Sequence, residues 1–166
     1  MERARNGAHE ALSELFHRYA DMVFGVAFRI SGSSDDAADV VQDVFIGLPE
    51  ALRNYSEQGN LAGWLKRVAA LTALLRERRQ KRMSEVHGTA AVRTPPRSRP
   101  SDVVDRISLQ SAMDALPEEL RHVFVLKEIE GYSHAEIADM LGVSSGASQM
   151  RLYRARRILM DLLEDV

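Results

Sequence analysis

The stretch that decides the fold is Ser133-His134-Ala135-Glu136-Ile137-Ala138-Asp139-Met140-Leu141-Gly142-Val143-Ser144. Ser133 and Glu136 stand at the spacing where a cap hydroxyl and a carboxylate each satisfy an orphan backbone N–H of the first turn, so a helix starts there. Ile137, Ala138 and Leu141 give that helix a buried face, and Gly142 supplies a tight turn. Ser144 is placed to cap a second helix, which carries Leu152, Ala155, Ile158, Leu159 and Leu162 inward. Two short helices joined by a glycine turn make a helix-turn-helix. In that motif the start of the second helix meets base edges in the major groove, and here it offers Ser145, Gly146, Ala147, Ser148, Gln149 and Met150. Gln149 can pair bidentately with adenine; Arg154, one turn on, can reach guanine or a phosphate. A plain helical hairpin with solvated arginines would not require cap, turn glycine, small tip and basic second helix together.

Working outward, almost every other strong pattern is helical. Leu12, Leu15, Phe16, Tyr19, Met22, Val23, Val26 and Ala27 recur at three- and four-residue steps and predict a helix over 11–30. Ser31-Gly32-Ser33-Ser34 breaks it, and Ser34 before Asp35 and Asp36 predicts the start of a second helix, reaching Arg53. Residues 54–60 have no periodicity and read as a loop. A third helix runs from Leu61 through Trp64, Leu65, Val68, Leu71, Leu74 and Leu75 into arginines around Arg78. From Met83 the pattern dissolves into small residues and Thr94-Pro95-Pro96, a linker. Beyond it, Leu109 to Leu116, a break at Pro117 and a helix over 118–128 lead to the helix-turn-helix. The predicted fold is all-α: two small helical domains, 1–82 and 107–166, joined by a flexible linker over 83–106.

Charge is segregated along these 166 residues behind a net charge of −2. Residues 1–60 carry ten acids and five bases, whereas 76–100 carry eight bases (Arg76, Arg78, Arg79, Lys81, Arg82, Arg93, Arg97, Arg99) against Glu77 and Glu85. Residues 101–141 are acidic again, and Arg151, Arg154, Arg156 and Arg157 follow with no acid among them. Two basic clusters in an otherwise acidic chain imply two local contacts with a polyanion. Trp64 and Tyr55 flank the 54–60 loop beside cations, an arrangement used to stack single-stranded bases, although Trp64 at helical spacing with Leu65 and Val68 also fits a core role. The acidic helix with Asp35, Asp36, Asp39 and Asp43 reads as a protein-binding face, since it lacks a histidine companion and calcium-loop spacing.

Other function classes find little support. Cysteine is absent, which removes disulfides and thiolate chemistry and fits a reducing compartment. His9, His17, His87, His122 and His134 form no metal-ligand pair at helical spacing and read as surface or boundary residues. No nucleophile motif, phosphate loop or dinucleotide fingerprint occurs, so neither an enzyme nor a cofactor is expected. No apolar run suffices for a membrane span or secretory signal, and the expected location is cytoplasmic.

Asp36-Ala37-Ala38-Asp39-Val40-Val41-Gln42-Asp43-Val44-Phe45, then Trp64-Leu65 with Val68-Ala69, then Leu116-Pro117 and Gly131-Tyr132-Ser133-His134-Ala135-Glu136-Ile137-Ala138, resemble a sigma-70-family RNA polymerase sigma factor of the extracytoplasmic-function (ECF) group. The resemblance implies that Asp36, Asp39, Gln42, Asp43 and Phe45 bind core polymerase at the beta-prime clamp helices. It implies contact with the −10 promoter element through Asn54, Tyr55, Trp64, Lys66, Arg67 and Arg78. It implies reading of the −35 element through Ser145, Gly146, Ala147, Gln149, Met150, Tyr153, Arg154 and Arg157, close to the polymerase beta flap. An anti-sigma protein is a further implied partner. Leu71 and Leu75 stand where the family usually has asparagine and aspartate. Two rival readings follow, a sigma-like decoy that binds polymerase without reading promoters and a stand-alone helix-turn-helix regulator; no sustained heptad supplies the dimer surface that the latter needs.

Overall fold

A computed structural model of the chain describes residues 4, 6, 8–56, 59–88 and 109–164. It divides into two compact units, Met1–His87 and Gly88–Val166. Among the described residues there are seven α-helices, one π-helical turn and no strand.

In the N-terminal unit, α1 (His9–Ser31), α2 (Ser34–Arg53) and α3 (Leu61–Val86) pack against one another. The core is aliphatic: Val23, Val26 and Ile30 of α1 meet Val40, Leu48 and Leu52 of α2 and Leu65 of α3, all out of contact with water. Each such side chain contributes about 1.5–3 kcal/mol by leaving water. Ala69, Ala70 and Ala73 line the inner face of α3 and let its backbone approach its neighbours closely. α1 ends at Gly32, whose φ of 66° is the left-handed conformation that a side chain resists. The cap of α2 is Ser33, one residue earlier than the sequence pattern suggests, its Oγ accepting from the Asp36 N–H at 3.2 Å. Ser33 has the extended backbone that a cap needs, whereas Ser34 is already helical.

α3 continues to Val86, so Met83–Val86 belong to a helix and not to a linker. This end exposes Lys81, Arg82, Met83 and Glu85, all good helix formers, and persists without the buried face that the sequence reading looked for. His87 caps that helix, and the expected linker from residue 89 on, with Arg93, Arg97, Arg99 and Thr94-Pro95-Pro96, lies outside the described residues.

The C-terminal unit contains α4 (Leu109–Ala115), α5 (Glu118–Phe124), the π turn Val125–Ile129, α6 (His134–Leu141) and α7 (Ser145–Glu164). Ala112, Met113 and Leu116 pack on Ala155 and Leu159 of α7, with Leu120, Phe124, Ile158 and Leu162 closing around them. The helix expected to run to Glu128 instead widens after Phe124. Glu130 N–H bonds to Val125 O and Tyr132 N–H to Leu126 O, each at 3.0 Å, which keeps Val125 and Leu126 inward as the chain turns at Gly131. The capping box at Ser133 and Glu136 is complete, with Ser133 N–H donating to Glu136 Oε2 at 2.8 Å and Glu136 N–H to Ser133 Oγ at 3.2 Å. In α6 the core takes Ile137, Ala138 and Met140, and Leu141 is only half-buried. Positions three and four after Ile137 share one side of the helix, and the packing selects the nearer. Gly142, at φ 67°, makes the turn.

Replacing Ser133 with alanine should remove the bonds its hydroxyl makes with the Glu136 N–H and Oε2, leave the backbone N–H of residue 133 on Glu136, and lower the unfolding free energy of the C-terminal unit by about 1 kcal/mol. Urea unfolding of the full chain, followed by helical circular dichroism, measures the loss.

Candidate nucleic-acid and polymerase interfaces

α7 divides cleanly into two faces. Ser148, Leu152, Ala155 and Leu159 point inward, while Ser145, Gly146, Gln149, Met150, Tyr153, Arg154 and Arg157 are exposed and Ala147 is half-buried. The first turn is fixed by Ser144, whose Oγ accepts from Ala147 N–H at 3.1 Å and whose carbonyl accepts from Ser148 N–H at 3.0 Å. Gly146 has nothing near the position of a β-carbon, so the tip of the helix is open to a close-fitting partner. All eight candidates for −35 contact therefore lie along one helix with an unobstructed outer side.

The four arginines of this helix have different partners. Arg151 pairs with Glu119 at 2.9 Å and Arg156 with Glu128 at 2.7 Å, tying α7 to α5 and to the π turn. Arg154 and Arg157 form no ion pair among the described residues and remain available to an anion. The sequence showed the cluster but could not say which charges were spent internally.

In the N-terminal unit the acidic helix and the first arginine of the basic cluster come together. Arg76 of α3 reaches across to α2, pairing with Asp39, with Asp43 at 3.3 Å and with Asp36 at 3.8 Å. Gln80 adds a bond from its amide to Asp36 Oδ1 at 2.8 Å. Asp36, Asp39 and Asp43 recur at steps of three and four along α2, so a single guanidinium spans all three. Gln42 remains exposed, and Phe45, half-buried, packs edge-on against the exposed ring of Phe16 with centroids 5.0 Å apart. Phe16, Ala20, Phe24, Ala38, Val41 and Gln42 line an open groove between α1 and α2. Neither Phe16 nor Phe24 was singled out as a functional candidate from the sequence: Phe16 read as part of the core stripe of α1, and Phe24 carried no signal of its own.

Around the 54–60 loop, Tyr55 is buried, with its hydroxyl donating to Gly59 O at 2.6 Å and its ring 5.0 Å from that of Trp64. Both aromatic side chains thus shape the loop, with Trp64 half-buried at the foot of α3. Asn60 caps α3, its side-chain oxygen accepting from Ala62 N–H at 3.0 Å, and Asn54 closes α2. Lys66, Arg67 and Arg78 each interact with other groups of the protein. Arg79, Lys81 and Arg82 are exposed and form no ion pair among the described residues.

Two family models match in the order this architecture requires: sigma-70 region 2 over residues 15–83 and sigma-70 region 4 over residues 106–159. RNA polymerase sigma factor CarQ of Myxococcus xanthus is 31% identical, with 100% of this chain and 97% of CarQ covered. The chain belongs to the ECF group of the sigma-70 family. ECF RNA polymerase sigma factor SigE of Mycolicibacterium smegmatis is 36% identical over 90% of this chain, which spans 60% of the length of SigE. Among solved structures, CnrH in complex with the cytosolic domain of CnrY is 26% identical and superposes with a TM-score of 0.56, covering 99% of this chain and 94% of CnrH. Members of the family are transcription factors that direct promoter-specific initiation by RNA polymerase, and this protein is an alternative sigma factor of that kind. No described helix is long and apolar enough to cross a membrane.

Replacing Arg76 with alanine leaves three aspartates on one face of α2 without their shared counter-ion. The network is partly exposed, so the N-terminal unit should lose about 1–2 kcal/mol. The difference from wild type should shrink as salt rises and screens the charges, which thermal unfolding at low and high ionic strength would reveal.

Proposed function

We propose that the sigma factor divides its work by helix. α2 docks on the beta-prime clamp helices of core polymerase through Gln42, Phe45 and the outer oxygens of Asp36, Asp39 and Asp43. The 54–60 loop and the first half of α3 meet the −10 element, with Asn54, Lys66 and Arg67 at its edge, Tyr55 and Trp64 holding its shape, and Arg78 further along the helix. α7 reads the −35 element near the beta flap. The observation that carries this reading is the bare outer face of α7, where Gln149, Met150, Tyr153, Arg154 and Arg157 line up while Arg151 and Arg156 anchor the helix at its flanks.

Base reading needs side chains that reach a groove without rearrangement, and phosphate contact needs cations not already neutralised. Gln149 supplies a bidentate amide for adenine, and Ala147 and Met150 supply apolar contact suited to thymine methyls. Arg154 and Arg157 flank them as groups for guanine or backbone. The groove between α1 and α2, with Phe16 and Phe24 at its rim, gives the polymerase-binding side an apolar component. The same surface suits a protein inhibitor, and the complex of CnrH with the cytosolic domain of CnrY supports an anti-sigma partner for this chain also. Work on polymerase and promoter places the protein in the cytoplasm, with no chemistry or cofactor of its own.

Transcription by core polymerase with this protein on a pool of randomised promoters, with mapped start sites and a control lacking the protein, tests the reading. Shared −10 and −35 motifs among the new transcripts are expected; polymerase binding without new starts would favour the decoy, and failure to bind polymerase would refute docking through α2. Against the selected promoter, Gln149→Ala should relax preference at one −35 position, costing about 1–3 kcal/mol there. Arg154→Ala has two distinguishable outcomes: uniform weakening with a salt slope smaller by about 1 identifies a phosphate contact, and loss confined to one base identifies base reading.

A further inference from the structure

The inward stripe of α7 runs Ser148, Leu152, Ala155, Leu159, and its first member is a hydroxyl at 0% exposure. An apolar side chain at that position would need no partner; a buried hydroxyl does. The partner is His134, the first residue of α6, whose Nδ1 lies 2.9 Å from Ser148 Oγ. This bond joins the two helices of the helix-turn-helix across fourteen residues of sequence. Besides this bond, the first turn of α7 is held by the cap bonds of Ser144 within the turn itself, and one turn on by the Arg151 pair with Glu119, which sits on the flank of the helix.

We infer that the hydrogen bond between His134 and Ser148 sets the rotation of α7 in its seat, making His134 a positioning residue for discrimination among −35 sequences. The inference rests on the reading of α7 given above. Apolar packing is non-directional and tolerates a helix turning slightly about its axis, whereas a hydrogen bond fixes distance and angle together. Gln149 immediately follows Ser148, so any turn at the hydroxyl reaches the reading amide undiminished. For a group about 7 Å from the axis, a turn of about 15° is a displacement of about 2 Å, enough to lose bidentate geometry.

The two ends of the bond differ in a way that makes the role testable. His134 is half-buried, so its ring nitrogen can find water if Ser148 is removed. Ser148 has no such access, and removing His134 orphans its hydroxyl. The loss of stability in His134→Ala should therefore exceed that in Ser148→Ala, and deleting the hydroxyl as well should restore stability without restoring the bond. Asparagine at 134 places a polar atom one bond beyond Cγ, where Nδ1 now stands, and is the conservative replacement.

The experiment uses the full chain with core polymerase on two templates that differ only in their −35 sequence, one selected from the random pool and one scrambled. The ratio of the two transcript yields is read beside the melting temperature of each variant. His134→Ala should cut the ratio about tenfold. His134→Asn should hold it within about twofold of wild type, whereas the double variant His134→Ala with Ser148→Ala, which has no orphaned hydroxyl but also no bond, should regain melting temperature while its ratio stays low. A ratio unchanged in His134→Ala, or one that the double variant restores to the wild-type value, overturns the inference. Should His134→Ala fail to fold, His134→Asn and the double variant decide the matter in the same way. A wild-type protein with no −35 preference at all overturns the reading of α7 and this inference with it.

Discussion

A helix that reads DNA must leave one side bare, so everything that holds it has to act from the other side. In α7 that side is narrow: Ser148, Leu152, Ala155 and Leu159 follow one another along a single stripe. The organisation of the C-terminal unit follows from this constraint. α4, α5 and α6 have seven, seven and eight residues, below the length at which a helix persists alone in water. They are stable because α7 gives α4 and α5 a common surface and α6 a bonded neighbour. Arg151 and Arg156 then pin the flanks of α7 from outside the apolar seat, at the cost of two cations that could have met phosphate.

The same competition between holding and binding shapes the N-terminal unit. A run of aspartates on α2 is well suited to a basic partner but repels itself, and Arg76 resolves the conflict by crossing from α3 to neutralise the inner edge. α2 is thereby fixed against the helix that carries the −10 candidates, and a partner meets a face whose charge is partly balanced already. On the proposed docking, apolar contact has to supply part of the binding, and the exposed Phe16 and Phe24 beside Gln42 are the groups placed to give it, although Phe16 read from the sequence as core.

Much of this was legible in the sequence because helix-forming signals are local. Periodicity found α1 and α3, a cap serine before two aspartates found the start of α2, and the box at Ser133 with the glycine at 142 located the helix-turn-helix. Local signals also explain the misses. Ser33 and Ser34 are chemically equal as caps, and only the backbone decides between them. The solvated end of α3 continues past Met83 because propensity alone sustains it, without the amphipathic stripe that pattern reading requires. The candidate site could be named from the sequence only as a set of residues, not as a set of partnerships. Arg76, Arg151 and Arg156 look like Arg154 and Arg157 in the sequence, and their acidic partners lie twenty-eight or more residues away. His134 read as an ordinary boundary histidine for the same reason, since nothing local links it to Ser148.

The allocation of charge bears on why such a protein works only as part of a larger assembly. Few cations on α7 are free, and the rest of the C-terminal unit is acidic, so the electrostatic attraction that gives most DNA-binding proteins their non-specific affinity is weak here. On isolated DNA this is a disadvantage, since few phosphate contacts cannot offset the entropy of docking. Held on polymerase, the protein presents each reading surface to the promoter at high effective concentration, and modest contacts at −10 and −35 multiply instead of competing separately with bulk DNA. Weak intrinsic affinity then becomes a source of selectivity: an acidic sigma factor is not drawn to arbitrary DNA, and on the proposed reading the exposed groups of α7 decide the outcome once polymerase has brought them within reach.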